Sequence, residues 1–150
     1  MAEFRDRPYS QFNFLVDLGT GDEASPLAGF QEVSGLGVEI TVAEYRAGNE
    51  KINAPRKITG LHKVTDVTLK RGVIGSLDLY EWLNRVRNGE QNALRTVTIA
   101  LQNEEHTARV QSWVLNGARP IKYTGPSLTG KGTDVAIEEL VLSCEYIELK

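Results

Sequence analysis

The sequence predicts a mainly β fold: two packed antiparallel sheets, as a sandwich or a partly open barrel, with one flanking α-helix. Three observations carry this. Short stretches of period-two apolar alternation recur along the chain, clusters of Gly, Pro, Asn, Asp and Ser separate them, and only Leu79, Trp82, Leu83 and Val86 repeat at helical spacing. The 150 residues suit a single domain, 1–150, able to bury roughly 70% of the surface an unfolded chain exposes. No internal repeat or linker divides it.

Residues 1–10 read as an N-terminal arm. Phe12, Phe14, Val16 and Leu18 then alternate with Gln11, Asn13 and Asp17, the pattern of a half-buried strand, and GTGDEASP is its turn. A second strand, Ala28 to Val33, ends at Ser34-Gly35-Leu36-Gly37, where two glycines predict a sharp bend or bulge. In the strand Val38 to Arg46, Val38, Ile40 and Val42 share one face, and Glu39, Thr41 and Ala43 the other. Residues 47–63, AGNEKINAPRKITGLHK, show no sustained period and read as one long loop. Ile52, Ile58 and Leu61 are more apolar than a solvated loop needs, so this loop is expected to pack against something.

The next strand turns Val67 and Leu69 one way and Asp66, Thr68 and Lys70 the other, and ends at Arg71-Gly72. Residues 76–88 form the helix. Gly75 and Ser76 cap it, Asp78 opens it, Arg85 and Arg87 suit the negative end of its dipole, and Gly89 stops it. Its apolar stripe docks, while Glu81, Asn84, Arg85 and Arg87 stay wet. Leu94 to Gln102, with Val97, Ile99 and Leu101 inward, pairs with Thr107 to Asn116 across the hairpin Asn103-Glu104-Glu105-His106. Ala118 to Thr124 is a further strand, demoted by Pro120 to an edge or a bulged end. After the loop TGPSLTGKGTD, Val135 to Leu149 exceeds an ordinary strand. Its apolar phase slips at Glu138-Glu139 and at Tyr146-Ile147, which predicts bulges or a bend from one sheet into another.

Composition narrows the function. The net charge of −3 spreads 17 basic and 20 acidic residues along the chain without a basic run, which argues against a nucleic-acid-tracking patch. The single cysteine, Cys144, rules out an intrachain disulfide and is expected to be a buried, inert thiol in a strand. There is no signal-peptide core and no run of about 18 apolar residues, so a cytosolic chain without a membrane anchor is expected.

Catalytic and ligand-binding patterns are missing. Gly125 to Gly132 nearly fits GxxxxGK[ST], but Gly132 stands where a hydroxyl should bind magnesium, and a strand follows instead of a helix. His62 and His106 lie in separate loops without zinc-ligand spacing. Glu138 and Glu139 point to opposite strand faces, and Glu104-Glu105 reads as solvated charge in a turn. No catalytic, cofactor or metal residue is assigned. The hydroxyl-rich strand faces, with Asp66, Thr68, Lys70, Thr96, Thr98 and Gln102 among them, read either as the solvated side of a monomer or as a wet channel wall built from several subunits.

Four blocks in order, FNFLVDLG, GFQEVSGLGVEITVAEYRAGN, VTDVTLKRGVIGSLDLYEWLN and DVAIEELVLSCEYIEL, resemble the inner tail-tube proteins of contractile phage tails and extracellular contractile injection particles. The resemblance implies a ring-forming structural protein that is not an enzyme. Six copies would close a ring around a lumen, and rings would stack as a rigid tube inside a contractile sheath. It implies a stacking loop with Tyr45, Arg46, Asn49, Ile52, Ile58 and Leu61, aided by the N-terminal arm. Asp66, Thr68, Lys70, Thr96, Thr98 and Gln102 would face the lumen, and Glu81, Arg85 and Arg87 would lie on the outer helix. The implied partners are further copies of the chain, sheath, baseplate or hub and tape-measure proteins, and a protein or DNA cargo. Assembly in the bacterial cytoplasm into a phage tail or injection particle would follow. A ring-forming effector carrier of a contact-dependent secretion system and a monomeric β-sandwich binding module are the alternatives.

Overall fold

A computed structural model describes residues 2–150; of the expected N-terminal arm 1–10, Met1 lies outside the described residues. The strands are β1 (Phe14–Asp17), β2 (Phe30–Ser34), β3 (Val38–Tyr45), β4 (Arg56–Val64), β5 (Val67–Gly72), β6 (Arg95–Gln102), β7 (Arg109–Thr124), β8 (Ile137–Ser143) and β9 (Tyr146–Leu149), and helix α1 spans Asp78–Arg87. Short 3-10 turns at Pro26–Ala28 and Gln91–Ala93 precede β2 and β6. The expectation of a mainly β chain with two antiparallel sheets and one helix holds. One sheet has seven strands in the order β1-β6-β7-β8-β5-β2, with β9 also on β7, and the other is the two-stranded ribbon β3-β4. The sheets do not close into a barrel.

The large sheet bends because its two longest paths change company midway. β7 pairs with β6 and β9 through its first half and with β8 through its second. Sequence reading splits β7 into two strands at Asn116–Ala118. The structure keeps it whole, because Gly117 takes φ +66°, a conformation that shifts the apolar phase without ending the pairing. Pro120 lies at the register shift between Pro120 and Lys122, the bulge its missing N–H predicts.

Opposite this kink, the Val135 to Leu149 stretch breaks into β8 and β9 at Cys144-Glu145. A bend is there as expected, but the anticipated slip at Glu138-Glu139 is absent. Burial alternates along all of β8, with Glu138 inward in phase with Leu140 and Leu142. Cys144 is only half-buried and sits between the strands, not in one. Burial raises its thiol pKa.

Alternate residues of both halves of the sheet meet in one core, including Val16, Val67, Leu69, Val97, Ile99, Leu115, Leu140, Leu142 and Ile147. Helix α1 covers it with Leu79 and Trp82, and the indole N–H of Trp82 donates to the Ala93 carbonyl at 2.7 Å. The helix starts two residues later than expected. Ser76 Oγ receives the Asp78 N–H at 3.3 Å, and the far end closes with Gly89 N–H to Val86 O and Glu90 N–H to Arg85 O, a Schellman arrangement. The first strand is shorter than its alternation suggests, since Phe12 stands exposed outside it. Ala28 belongs to the 3-10 turn before β2.

A buried ion cluster ties these parts together. The Arg71 side chain is 1% exposed, and all five of its N–H donors are used. They reach Glu138 Oε1 (3.0 and 2.7 Å), both oxygens of Asp78 (3.1 and 2.8 Å) and the Leu27 carbonyl (2.8 Å). Tyr123 Oη donates to the other Glu138 oxygen at 2.7 Å, and Ser76 Oγ to Asp78. Burial works against the charge on Arg71, but its bonds to Asp78 and Glu138 outweigh that and raise its pKa. Burial likewise opposes the Asp78 carboxylate, and the bonds from Arg71 and Ser76 overcome it and hold its pKa below the usual value.

Removing Arg71 would strand Glu138 as an uncompensated buried charge. Arg71→Met is predicted to destabilise the chain by about 3–5 kcal/mol in denaturant unfolding. The double variant Arg71→Met/Glu138→Leu should recover much of that loss, since Asp78 can turn to water; equal losses in both would show that the cluster contributes only packing.

Candidate assembly interface

The ribbon β3-β4 continues the β2-β5 edge of the large sheet past a kink. Ser34 is opposite Thr68 on one side of it, and Val38 is opposite Val64 on the other. Gly35 makes the kink with φ +86°, and a Cβ there would lie 2.2 Å from the Asp66 carbonyl oxygen, so no other residue fits unchanged. Thr65 staples it, its Oγ1 donating to the Gly35 carbonyl at 2.5 Å and its N–H to the Gly37 carbonyl at 3.1 Å.

Beyond the kink the ribbon is bare on both faces. Every residue of β3, and all of β4 but Val64, is exposed. Cross-strand partners share a face, so the register sets the two surfaces. Val38, Ile40 and Val42 share one with Val64, while Ala43 and Tyr45 share the other with Ile58. A register shift between Ile40 and Val42 accommodates Gly60, where a Cβ would meet Thr41 Oγ1 at 2.8 Å.

The expected 47–63 loop is thus corrected: its second part is strand β4, and only the tip between Tyr45 and Arg56 is irregular. Arg46 organises that tip from within, donating to the Ile52 and Glu50 carbonyls and to Asn53 Oδ1 at 2.9–3.1 Å. Of the candidates for this region, Tyr45, Asn49, Ile52, Ile58 and Leu61 are all exposed, with Ile52 at 73% and Leu61 at 85%. Such apolar exposure on a ribbon whose two outer edges are unpaired among the described residues calls for a covering surface. His62 touches the body of the fold edge-on, its ring 5.6 Å from that of Tyr146.

The face of the large sheet turned away from the core gathers several polar candidates. Register lines up Thr124, Glu139, Lys70 and Glu32 across four strands, and Lys122, Val141, Thr68 and Ser34 beside them. Lys70 Nζ lies 3.4 Å from Glu32. A third row runs Asp17, Thr98, Val114 and Glu148 through the other half. Thr96 and Asp66 are exposed, Asp66 in the junction before β5, and Gln102 is half-buried at the end of β6. The outer strands β1 and β2 leave unpaired edges among the described residues.

On α1, Glu81, Arg85 and Arg87 are exposed. Arg85 pairs with Glu90 at 2.6 Å, and Arg87 bonds Tyr80 Oη and Asn84 Oδ1. The arm is clipped down: Glu3 N–H donates to Val110 O at 2.7 Å, and Arg5 grips Glu104 at 2.6 and 3.0 Å while stacking on Tyr9. Glu104 is therefore a bonded carboxylate and not free solvated charge. Its pKa is lowered to about 2, chiefly by the Arg5 hydrogen bonds. The loop from Gly125 runs into strand β8, and among the described residues no group of three His, Cys, Asp or Glu side chains converges.

The sequence matches the T4-like virus tail tube protein gp19 family over residues 10–148. No relative was found among curated proteins. Among solved structures, the chain is similar to one in the PVC extracellular contractile injection system sheath–tube complex in its extended state, with 27% identity over 97% of this chain and 93% of that one and a TM-score of 0.84. It is similar to one in the tube-terminating cap of the anti-feeding prophage, with 25% identity over 100% and 95% and a TM-score of 0.81. Hcp1 from Flavobacterium johnsoniae shares the fold alone, at 14% identity over 91% and 93% and a TM-score of 0.54.

Two outcomes follow from this geometry. Gly35→Ala should mis-aim the ribbon, lowering stability by roughly 1–3 kcal/mol and weakening self-association in sedimentation; unchanged association would free the ribbon from that role. The arm clip should be complete above pH 4.5 and fade as pH falls toward about 2, so exchange at the Glu3 amide in wild type and Arg5→Ala should differ at pH 6 and converge near pH 2.

Proposed function

The chain belongs to the T4-like virus tail tube protein gp19 family, a structural tube subunit of contractile injection machinery, and on that premise we propose how its surfaces build and use the tube. It is a component of a phage tail or of an extracellular injection particle. No helix among the described residues is long and apolar enough to cross a membrane.

Six copies close a ring by pairing the free edges of their large sheets, which removes the exposed edges of β1 and β2. The β3-β4 ribbon, with Ile52, Ile58 and Leu61, reaches the next ring and buries its two apolar faces there, and the arm contributes beside it. The observation that carries this reading is the ribbon, which exposes apolar side chains on both faces and, among the described residues, is left largely uncovered. A monomeric binding module has no use for such an extension.

The polar outer face of the sheet, with Thr68, Lys70, Thr98 and their neighbours, lines the lumen, and α1 lies on the outside toward the sheath. The role is mechanical and not enzymatic. Sheath contraction drives the tube through a target envelope, and protein or DNA cargo passes along a wall of mixed, mostly polar side chains. Sheath, baseplate and tape-measure proteins are the partners, and assembly takes place in the bacterial cytoplasm.

Ile52→Asp and Ile58→Asp should each leave rings but no long tubes in electron micrographs; full-length tubes would remove the ribbon from the stacking contact. Thr68→Leu/Thr98→Leu should preserve rings and alter cargo retention. Failure of that variant to fold would make the face core and not lumen.

A further inference from the structure

A cleft of about 350 Å³ opens beside α1, between the helix and the turn after β1. Its walls include Leu18, Leu27, Ala28 and Trp82, and Arg95 stands among them. The Arg95 guanidinium lies over the Trp82 ring, 4.5 Å from its centroid, and a Cβ at Gly19 would crowd its stem at 3.2 Å, so a glycine there leaves the stem its room. The arginine is half-buried, yet it makes no hydrogen bond or ion pair among the described residues. Burial and the nearby Arg85 charge lower its pKa.

The other cleft charges are largely spoken for. Asp78 is held by Arg71 and Ser76, Asp22 by Ser25 and the Ala24 and Ser25 amides, and Arg85 by Glu90. That leaves Arg95, pre-set on an indole, and the lining residue Glu81, each without a side-chain hydrogen bond or ion pair among the described residues. A planar guanidinium in this state is a ready bidentate receptor for a carboxylate. Glu81 disfavours a strongly acidic segment, so the fitting occupant carries one carboxylate among neutral or basic side chains.

We propose that the cleft seats a single Asp or Glu side chain of the surrounding sheath subunit, bound by Arg95 over Trp82. The choice of sheath rests on the tube reading above. The cleft flanks the helix on the core side of the sheet, away from the Thr68 and Thr98 face, so a lumen on that face turns the cleft outward.

The test uses tubes of the full chain and the sheath subunit produced with it, in co-sedimentation. Arg95→Gln should form tubes like wild type, with a thermal midpoint lowered only by the lost stacking on Trp82, but should bind sheath roughly 10- to 100-fold more weakly and with less salt dependence. Arg95→Lys, which keeps a cation over the ring, should fall between. Sheath binding unchanged in Arg95→Gln tubes overturns the proposal. So does a folded Arg95→Gln chain that makes no tubes, because the occupant is then a neighbouring copy. If wild type itself makes no tubes, the tube reading fails first.

Discussion

The fold depends on a charge buried where no water can relieve it. Arg71 ends β5 inside the core, and its five donors are satisfied only when the start of β8, the first turn of α1 and the turn before β2 all converge on it. Tyr123 of β7 completes the ring through Glu138. Hydrophobic contact is indifferent to small slides between elements, but a bidentate guanidinium is not. An intact buried cluster adds little net stability over apolar packing of the same volume, yet breaking it is costly. Asp78 binds the helix to β5, and Glu138 sets how β8 lies against it.

With that end of β5 anchored, its other end becomes a stiff base for the ribbon. β2 and β5 run on into β3 and β4 through the Gly35 kink, so the ribbon's direction is inherited from strands that the ion cluster holds in place. The chain is thus a packed body with a preset extension. In the proposed tube, ordering the extension in advance would lower the entropy lost on docking.

Legibility in the sequence tracks burial on one face. β5, β6 and α1 bury one side only, so Val67 and Leu69, Val97 and Ile99, and Leu79 and Trp82 announce themselves by period. β4 does not, because every residue before Val64 is exposed and the register shift at Gly60 changes phase halfway. Its apolar residues Ile58 and Leu61 are the surviving trace, and both stand exposed on the ribbon. Glu138 looks like a break in pattern since periodicity treats charge as exposed. Its partner lies 67 residues away, and only the RG ending of β5 hints at it. Arg95 was equally hidden, as nothing local separates an arginine paired in space from one left open.

Tube and ring geometry lies one level above the chain, in contacts between copies. In the proposed assembly this body joins copies of itself into a hollow tube by its free sheet edges and its two-faced ribbon. Negative-stain imaging of the purified wild-type chain at high concentration tests it most directly. Rings of six copies and stacked hollow tubes are expected; a persistent monomer at every concentration would rule the assembly out.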